Sequence, residues 1–142
     1  MFSVNDVSLQ ILQKYKNETG HLIPISFIKD FKSEIVRNFL VYGNLEVIRG
    51  NHAHKECNQY LSCLNGSCKV YLDDGTNKKS FILNKPEMIL KIPFSIWSYQ
   101  EYQLSNSILF VSCDKEYDEK DYIRDYEEFK NFRKEIQYKI FT

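Results

Sequence analysis

Tyr60-Leu61-Ser62-Cys63-Leu64-Asn65-Gly66-Ser67-Cys68-Lys69-Val70-Tyr71-Leu72 is the stretch that decides the fold class. Two runs of alternating apolar and polar residues flank an Asn-Gly pair, the strongest short-range hairpin signal, because a type I′ turn needs positive φ at both central residues. A two-residue loop at 65–66 pairs Leu64 with Ser67 and Cys63 with Cys68. Strand alternation then sets Leu61, Cys63, Cys68, Val70 and Leu72 on one apolar face, with Gln59 at its end. That face is expected to line the interior of a barrel. Cys63 and Cys68 would stand opposite each other, but four cysteines in a chain of intracellular character are expected as buried thiols.

The pattern extends in both directions. Strands are expected at 34–42 and, after Gly43-Asn44, at 45–49. Beyond the turn Asp73-Asp74-Gly75-Thr76 they are expected at 80–83, 89–92, 97–102 and 107–112. Turns this closely spaced, with no amphipathic helix between them, indicate an all-β sandwich or barrel. The tail changes period: Tyr122, Tyr126, Phe129, Phe132, Ile136 and Ile140 recur at steps of three and four. This predicts a C-terminal helix over about 121–142, acidic at its start and with Lys139 near its end, in line with the helix dipole. Its stripe is expected to pack on the sheets or on a second subunit.

At 142 residues the chain is expected to form one domain, 1–142. A chain of this size buries about 68–70% of its unfolded surface, so it needs no metal or disulfide staple. Nineteen Lys and Arg balance nineteen Asp and Glu, which argues against gripping nucleic acid through its phosphates. No apolar run approaches the ~18–20 residues of a membrane span, and the N-terminus lacks the basic-then-apolar order of a signal peptide. A cytoplasmic location without membrane or nucleic-acid partners is the expectation. Only four of the basic residues are Arg. Arg124 and Arg133, in the charged tail, read as surface ion-pair partners. Arg37 and Arg49, in apolar strand-like stretches, are candidates for a planar grip on phosphate.

The chemistry concentrates in Arg49-Gly50-Asn51-His52-Ala53-His54. On an extended segment residues i and i+2 share a face, so both imidazoles point the same way. The spacing of His52, His54, Gln59 and Gly66 resembles cupin motif one, with Gln59 in place of the carboxylate ligand. Residues 93–98 resemble motif two, with Ser98 where a third His would stand. A divalent metal wants at least two His and a carboxylate on one face. Cys57 could extend a His-x-His-x-x-Cys cluster, but no fourth zinc ligand stands out. No metal is therefore expected, and two metal-free imidazoles suit proton transfer near neutral pH.

The string Arg49-Gly50-Asn51-His52-Ala53-His54-Lys55 also resembles a signature of the sugar nucleotide 3,4-ketoisomerases. So do Leu64-Asn65-Gly66-Ser67-Cys68-Lys69-Val70, Leu72-Asp73-Asp74-Gly75 and, most distinctively, Tyr117-Asp118-Glu119-Lys120-Asp121-Tyr122-Ile123-Arg124. The likeness runs from about Gly20 to Phe129. It implies a cupin (jelly-roll) β-barrel and a cofactor-free isomerase acting on TDP-4-keto-6-deoxy-D-glucose. His52 would be the base and His54 its partner, moving the ketone from C4 to C3 through an enediol. The resemblance further implies substrate contacts from Arg37, Arg49, Gln59 and Trp97, with Tyr42 replacing a family tyrosine lost near Phe39. It implies a homodimer with exchanged N-terminal strands and a product destined for a 3-amino-3,6-dideoxyhexose of a surface polysaccharide. Alternatives are a TDP-sugar 3,5-epimerase-like cupin, a metal-dependent cupin oxygenase and a non-enzymatic sugar-nucleotide-binding cupin.

Overall fold

Alternating apolar and polar residues take the form of two facing antiparallel sheets in a computed structural model that describes Met1–Thr142. The strands are β1 (Ser8–Ile11), β2 (Tyr15–Asn17), β3 (Gly20–Leu22), β4 (Arg37–Tyr42), β5 (Ile48–His54), β6 (Gln59–Asn65), β7 (Cys68–Asp73), β8 (Lys78–Leu83), β9 (Met88–Ile92), β10 (Trp97–Tyr102), β11 (Ile108–Cys113) and β12 (Tyr122–Ile123). Helix α1 covers Phe27–Phe31 and α2 covers Tyr126–Phe141. One sheet has the order β1-β9-β6-β11-β4, the other β12-β5-β10-β7-β8, and β2 pairs with β3 apart from both. This is the cupin-like sandwich, closed by a C-terminal helix. No helix is long and apolar enough to cross a membrane.

The Asn65-Gly66 turn does not make the expected hairpin. β6 pairs with β9 and β11, β7 pairs with β8 and β10, and the turn carries the chain from one sheet to the other. Gly66 alone of the two has positive φ, +81°. A Cβ there would come within 2.8 Å of the Ser107 Cα. The Ser67 amide donates to Ser107 Oγ at 3.1 Å, a tertiary partner that replaces the expected cross-strand one. The expected interior face is nonetheless correct, because side-chain parity belongs to each strand whatever it pairs with. Leu61, Cys63, Cys68, Val70 and Leu72 are all in the main core, and all four cysteines are buried free thiols.

Helix α2 begins at Tyr126, later than expected, with the Asp125 side chain accepting from the Glu128 amide. Residues Glu119–Asp121 form a 3-10 turn, and Tyr122 lies on β12, paired with His54 of β5 rather than on the helical stripe. Phe129 of α2 is fully buried against Ala53, Trp97 and Ile123, on the outer side of β5 and β10. Burying such a ring contributes about 1.5–3 kcal/mol, which holds the helix behind the strand that carries both histidines.

Candidate active site

Between the sheets lies a cavity of about 240 Å³. Its polar wall is Arg49, His52, Gln59, Gln100, Tyr122 and Arg124, and Phe39 and Val41 of β4 supply an apolar side. Two strands place their residues by simple parity. On β4, Arg37, Phe39 and Val41 face inward and are partly buried, while Asn38, Leu40 and Tyr42 face out. On β10, the buried residues Ser98 and Gln100 alternate with the outward-facing Trp97 and Tyr99.

On β5, parity alone would fail. His52 lies opposite Ser98 but Gly50 lies opposite Tyr99, so Asn51 is an extra residue. This β-bulge brings Arg49, three residues before His52, onto the cavity side opposite Gln100. The bulge needs φ of +93° at Gly50 and +54° at Asn51, the latter a residue type that tolerates the left-handed region. A Cβ on Gly50 would approach Gln100 Oε1 to 2.8 Å.

The histidines sit edge to face, with ring centroids 5.0 Å apart. His54 lies deeper, and its Nδ1 is 2.7 Å from Asp121 Oδ2. Asp121 is fixed in turn: its Oδ1 accepts from the Glu56 amide at 2.7 Å and its carbonyl accepts from the Lys55 amide at 2.8 Å. Burial lowers the pKa of His54 against the opposing pull of Asp121, so the ring is neutral with Nδ1–H donating and Nε2 carrying a lone pair. Burial, and then the neighbouring His54, push His52 down to about 4. Neither nitrogen of His52, nor Nε2 of His54, makes a hydrogen bond within the protein. Buried polar atoms are seldom left this way, and three on one pair of rings mark a place where a ligand supplies the partner.

Tyr122 completes the group. Its ring lies 4.4 Å from His54 and 5.1 Å from His52, and its hydroxyl accepts from the Arg37 guanidinium at 3.4 and 3.5 Å. Arg124 lies 4.4 Å above the same ring and is held by Glu119 through bonds of 2.7 and 3.0 Å.

Of the residues expected at the site, His52, Arg49 and Gln59 line the cavity, and His54 stands behind His52. Arg37 reaches the site through the Tyr122 hydroxyl. Trp97 and Tyr42 are corrections. Trp97 is on the outer face of β10, packed on Tyr126 and Phe129, and Tyr42 is 72% exposed on the outer face of β4. Their positions relative to Ser98 and Arg37 give them the wrong parity for the cavity. Gln100, Asp121, Tyr122 and Arg124 are the polar site residues that sequence reasoning missed, though the last three lie in the distinctive string 117–124.

His54, Cys57 and Asp121 offer three donor atoms within 4.8 Å of one another. Both Asp121 oxygens are already engaged, and the neighbouring Cys113 thiol, and then burial, push the Cys57 thiol up, favouring its protonated form. A metal would have to displace the His54–Asp121 bond, and His52 is not among its donors, so this set does not form a two-histidine face.

The depressed pKa of His52 has a consequence for stability. The unfolded chain takes up this proton near pH 6.5 and the folded chain only near pH 4, so between those values the unfolded state binds more protons. Stability is expected to be flat above about pH 6.5 and to fall as pH drops toward 4. Urea midpoints measured across that window should decline less steeply in His52→Asn than in the wild type. Parallel curves would remove His52 as a cause.

Comparison with known proteins gives the family. The family model described as FdtA, WxcM-like, C-terminal, matches residues 5–134. The chain belongs to the WxcM-like family. It is 36% identical over 121 residues to the TDP-4-oxo-6-deoxy-alpha-D-glucose-3,4-oxoisomerase of Aneurinibacillus thermoaerophilus, covering 84% of this chain and 87% of that one. Among solved structures, a 3,4-ketoisomerase from Helicobacter canadensis is 34% identical with a TM-score of 0.87, covering 91% of this chain and 98% of its own. The sugar 3,4-ketoisomerase QdtA from Thermoanaerobacterium thermosaccharolyticum, solved with TDP, is 31% identical with a TM-score of 0.89, covering 94% and 98%. By name these relatives are 3,4-keto- or oxoisomerases, and the two solved structures share this fold.

Proposed function

We propose that this WxcM-like chain is a cofactor-free 3,4-ketoisomerase acting on TDP-4-keto-6-deoxy-D-glucose. The observation that carries the reading is the neutral, unbonded imidazole of His52, facing a cavity that Arg49 flanks. A proton beside a ketone is removed by a base within reach, provided the developing charge on oxygen is met by a donor. His52 takes the C3 proton, the C3–C4 enediol forms, and return of a proton to C4 leaves the ketone at C3. His54 is the buried partner that orients and electrostatically tunes His52. Arg49 binds the diphosphate, for which a planar bidentate guanidinium is suited. Arg49→Ala is expected to weaken TDP binding by at least tenfold in calorimetric titration, and an unchanged affinity would remove that role.

Homodimerisation belongs to the same proposal. β1 pairs with β9 of its own chain, whereas every residue of β2 and β3 is exposed, leaving that hairpin available for exchange with a second copy. The 3-keto product is the form that an amino-transfer step at C3 requires, in keeping with a role in making a 3-amino-3,6-dideoxyhexose in the cytoplasm. The test is incubation with TDP-4-keto-6-deoxyglucose in D₂O, with and without chelator, followed by proton NMR. A 3-keto product, formed equally with and without chelator, is expected. A product that keeps its ketone at C4 while exchanging at C3 and C5 would instead indicate a 3,5-epimerase. An unchanged sugar that still binds would indicate a binding protein.

A further inference from the structure

We propose that Tyr122 is the oxygen acid of this site, giving its phenolic proton to the sugar carbonyl as His52 removes the proton from carbon. The inference rests on the isomerase reading and assigns the half of the chemistry that the histidine pair does not cover.

Moving a ketone along a carbon chain requires two proton sites, one at carbon and one at oxygen. The second must be a group that can release a proton and take it back. Among the polar residues of the cavity wall few qualify. Gln59 and Gln100 are amides that do not ionise in water, and Arg49 and Arg124 hold their protons throughout. His54 is a poor candidate, because its Nδ1–H is committed to Asp121 and its other nitrogen is an acceptor. Tyr102 also lines the cavity and has an unpartnered hydroxyl. It lies four residues along β10 from Ser98, the cross-strand neighbour of His52, and so about 13 Å away along the strand. Tyr122 is the tyrosine whose ring stands against the His52 ring, with centroids 5.1 Å apart.

Its surroundings fit an acid. Arg37 donates to the phenol oxygen from β4, so the O–H is free to point at a ligand, and Arg124 lies over the ring on the other side. The titratable groups nearby are the guanidinium pair, Glu119 bound to Arg124, and the two neutral imidazoles; the Lys115 carbonyl accepts from Arg37 and the Asp121 carboxylate from His54. The Arg37 guanidinium puts two donors on the oxygen from which the proton would leave. This also gives Arg37 a use that does not require it to touch the sugar.

The protons and electrons balance without any co-reactant. His52 accepts the proton from C3, the C3–H pair becomes the C3–C4 double bond, and the carbonyl pair moves to O4, which takes the Tyr122 proton. In the second half the phenolate takes the proton from O3, the O3–H pair becomes the new C3 carbonyl, and the double-bond pair takes a proton at C4 from the His52 imidazolium. Both residues end as they began.

The experiment is a comparison of wild type, Tyr122→Phe, Arg37→Met and the double variant on TDP-4-keto-6-deoxyglucose, with TDP titrations and melting temperatures alongside. Tyr122→Phe keeps the ring packed on both histidines and is expected to lower kcat about 10²-fold or more, the scale of general acid catalysis. KM and TDP affinity should stay within about threefold. Arg37→Met is expected to lower kcat in the wild type but to add nothing in the Phe background, because it acts through the phenol. A Tyr122→Phe enzyme with wild-type kcat, or equal effects of Arg37→Met in both backgrounds, would overturn the assignment while the isomerase reading stands. A wild type that leaves the sugar unchanged would overturn both.

Discussion

His52→Asn is expected to reduce turnover of TDP-4-keto-6-deoxyglucose by about 10⁴-fold, the upper end of what a positioned general base contributes, while the fold and TDP affinity persist. The expectation comes from how little else the side chain does. Neither ring nitrogen bonds to the protein, so the substitution breaks no internal hydrogen bond. Asn fits the space of the imidazole but has no lone pair able to accept a proton near neutral pH. Loss of activity should therefore come with unchanged circular dichroism and an unchanged TDP isotherm. A variant running within tenfold of wild type would show that another group takes the proton from carbon.

Asp121→Asn is expected to damage both activity and stability, and the two losses can be read separately. The carboxylate accepts from the His54 ring and from the Glu56 amide, and hydrogen bonds to a charged group are worth about 1.5–3 kcal/mol each. An amide has one good acceptor atom and cannot serve both donors. Destabilisation of about 2–4 kcal/mol by urea denaturation follows from that loss. The His54 ring is also released from its tautomer, and His52, packed edge to face against it, loses a fixed neighbour. A fall in kcat of about 10²-fold or more is expected at temperatures where the variant is fully folded. Destabilisation with kcat intact would make Asp121 a structural anchor of the 3-10 turn and nothing more.

The strands were legible because alternation survives any choice of partner. Residues 97–102 were read with the bounds they have, and the apolar faces around Cys63 and Cys68 point inward as read. Pairing was not legible. Asn-Gly specifies a tight reversal of the chain, and a reversal within one sheet and one between two sheets use the same local chemistry. What separates them is Ser107, forty residues away, capping the Ser67 amide. The histidine pair was legible for the reason that the strands were. Tyr42 and Trp97 could have been set aside on parity, since Arg37 and Ser98 face inward. Tyr122 was hidden by coincidence: it stands four residues before Tyr126 and so joins the helical stripe on paper, while the Asp125 cap starts the helix after it. Asp121 carried no signal of its own in an acidic run, because its importance comes from the pairing of β12 with β5.

The extra residue in β5 makes the reach of this site a matter of chain length as well as side-chain chemistry. Excising Asn51 alone would leave Arg49 two residues before His52, so strict alternation would keep it on the cavity side, whereas straightening the kink with every residue kept would turn Arg49 toward solvent. Adding a residue elsewhere in the strand could aim a different side chain at the end of the cavity that Arg49 lines. Single-residue insertions around the Gly50–Asn51 kink are therefore a route by which such a barrel could change the side chain at this end of its cavity without touching the two imidazoles.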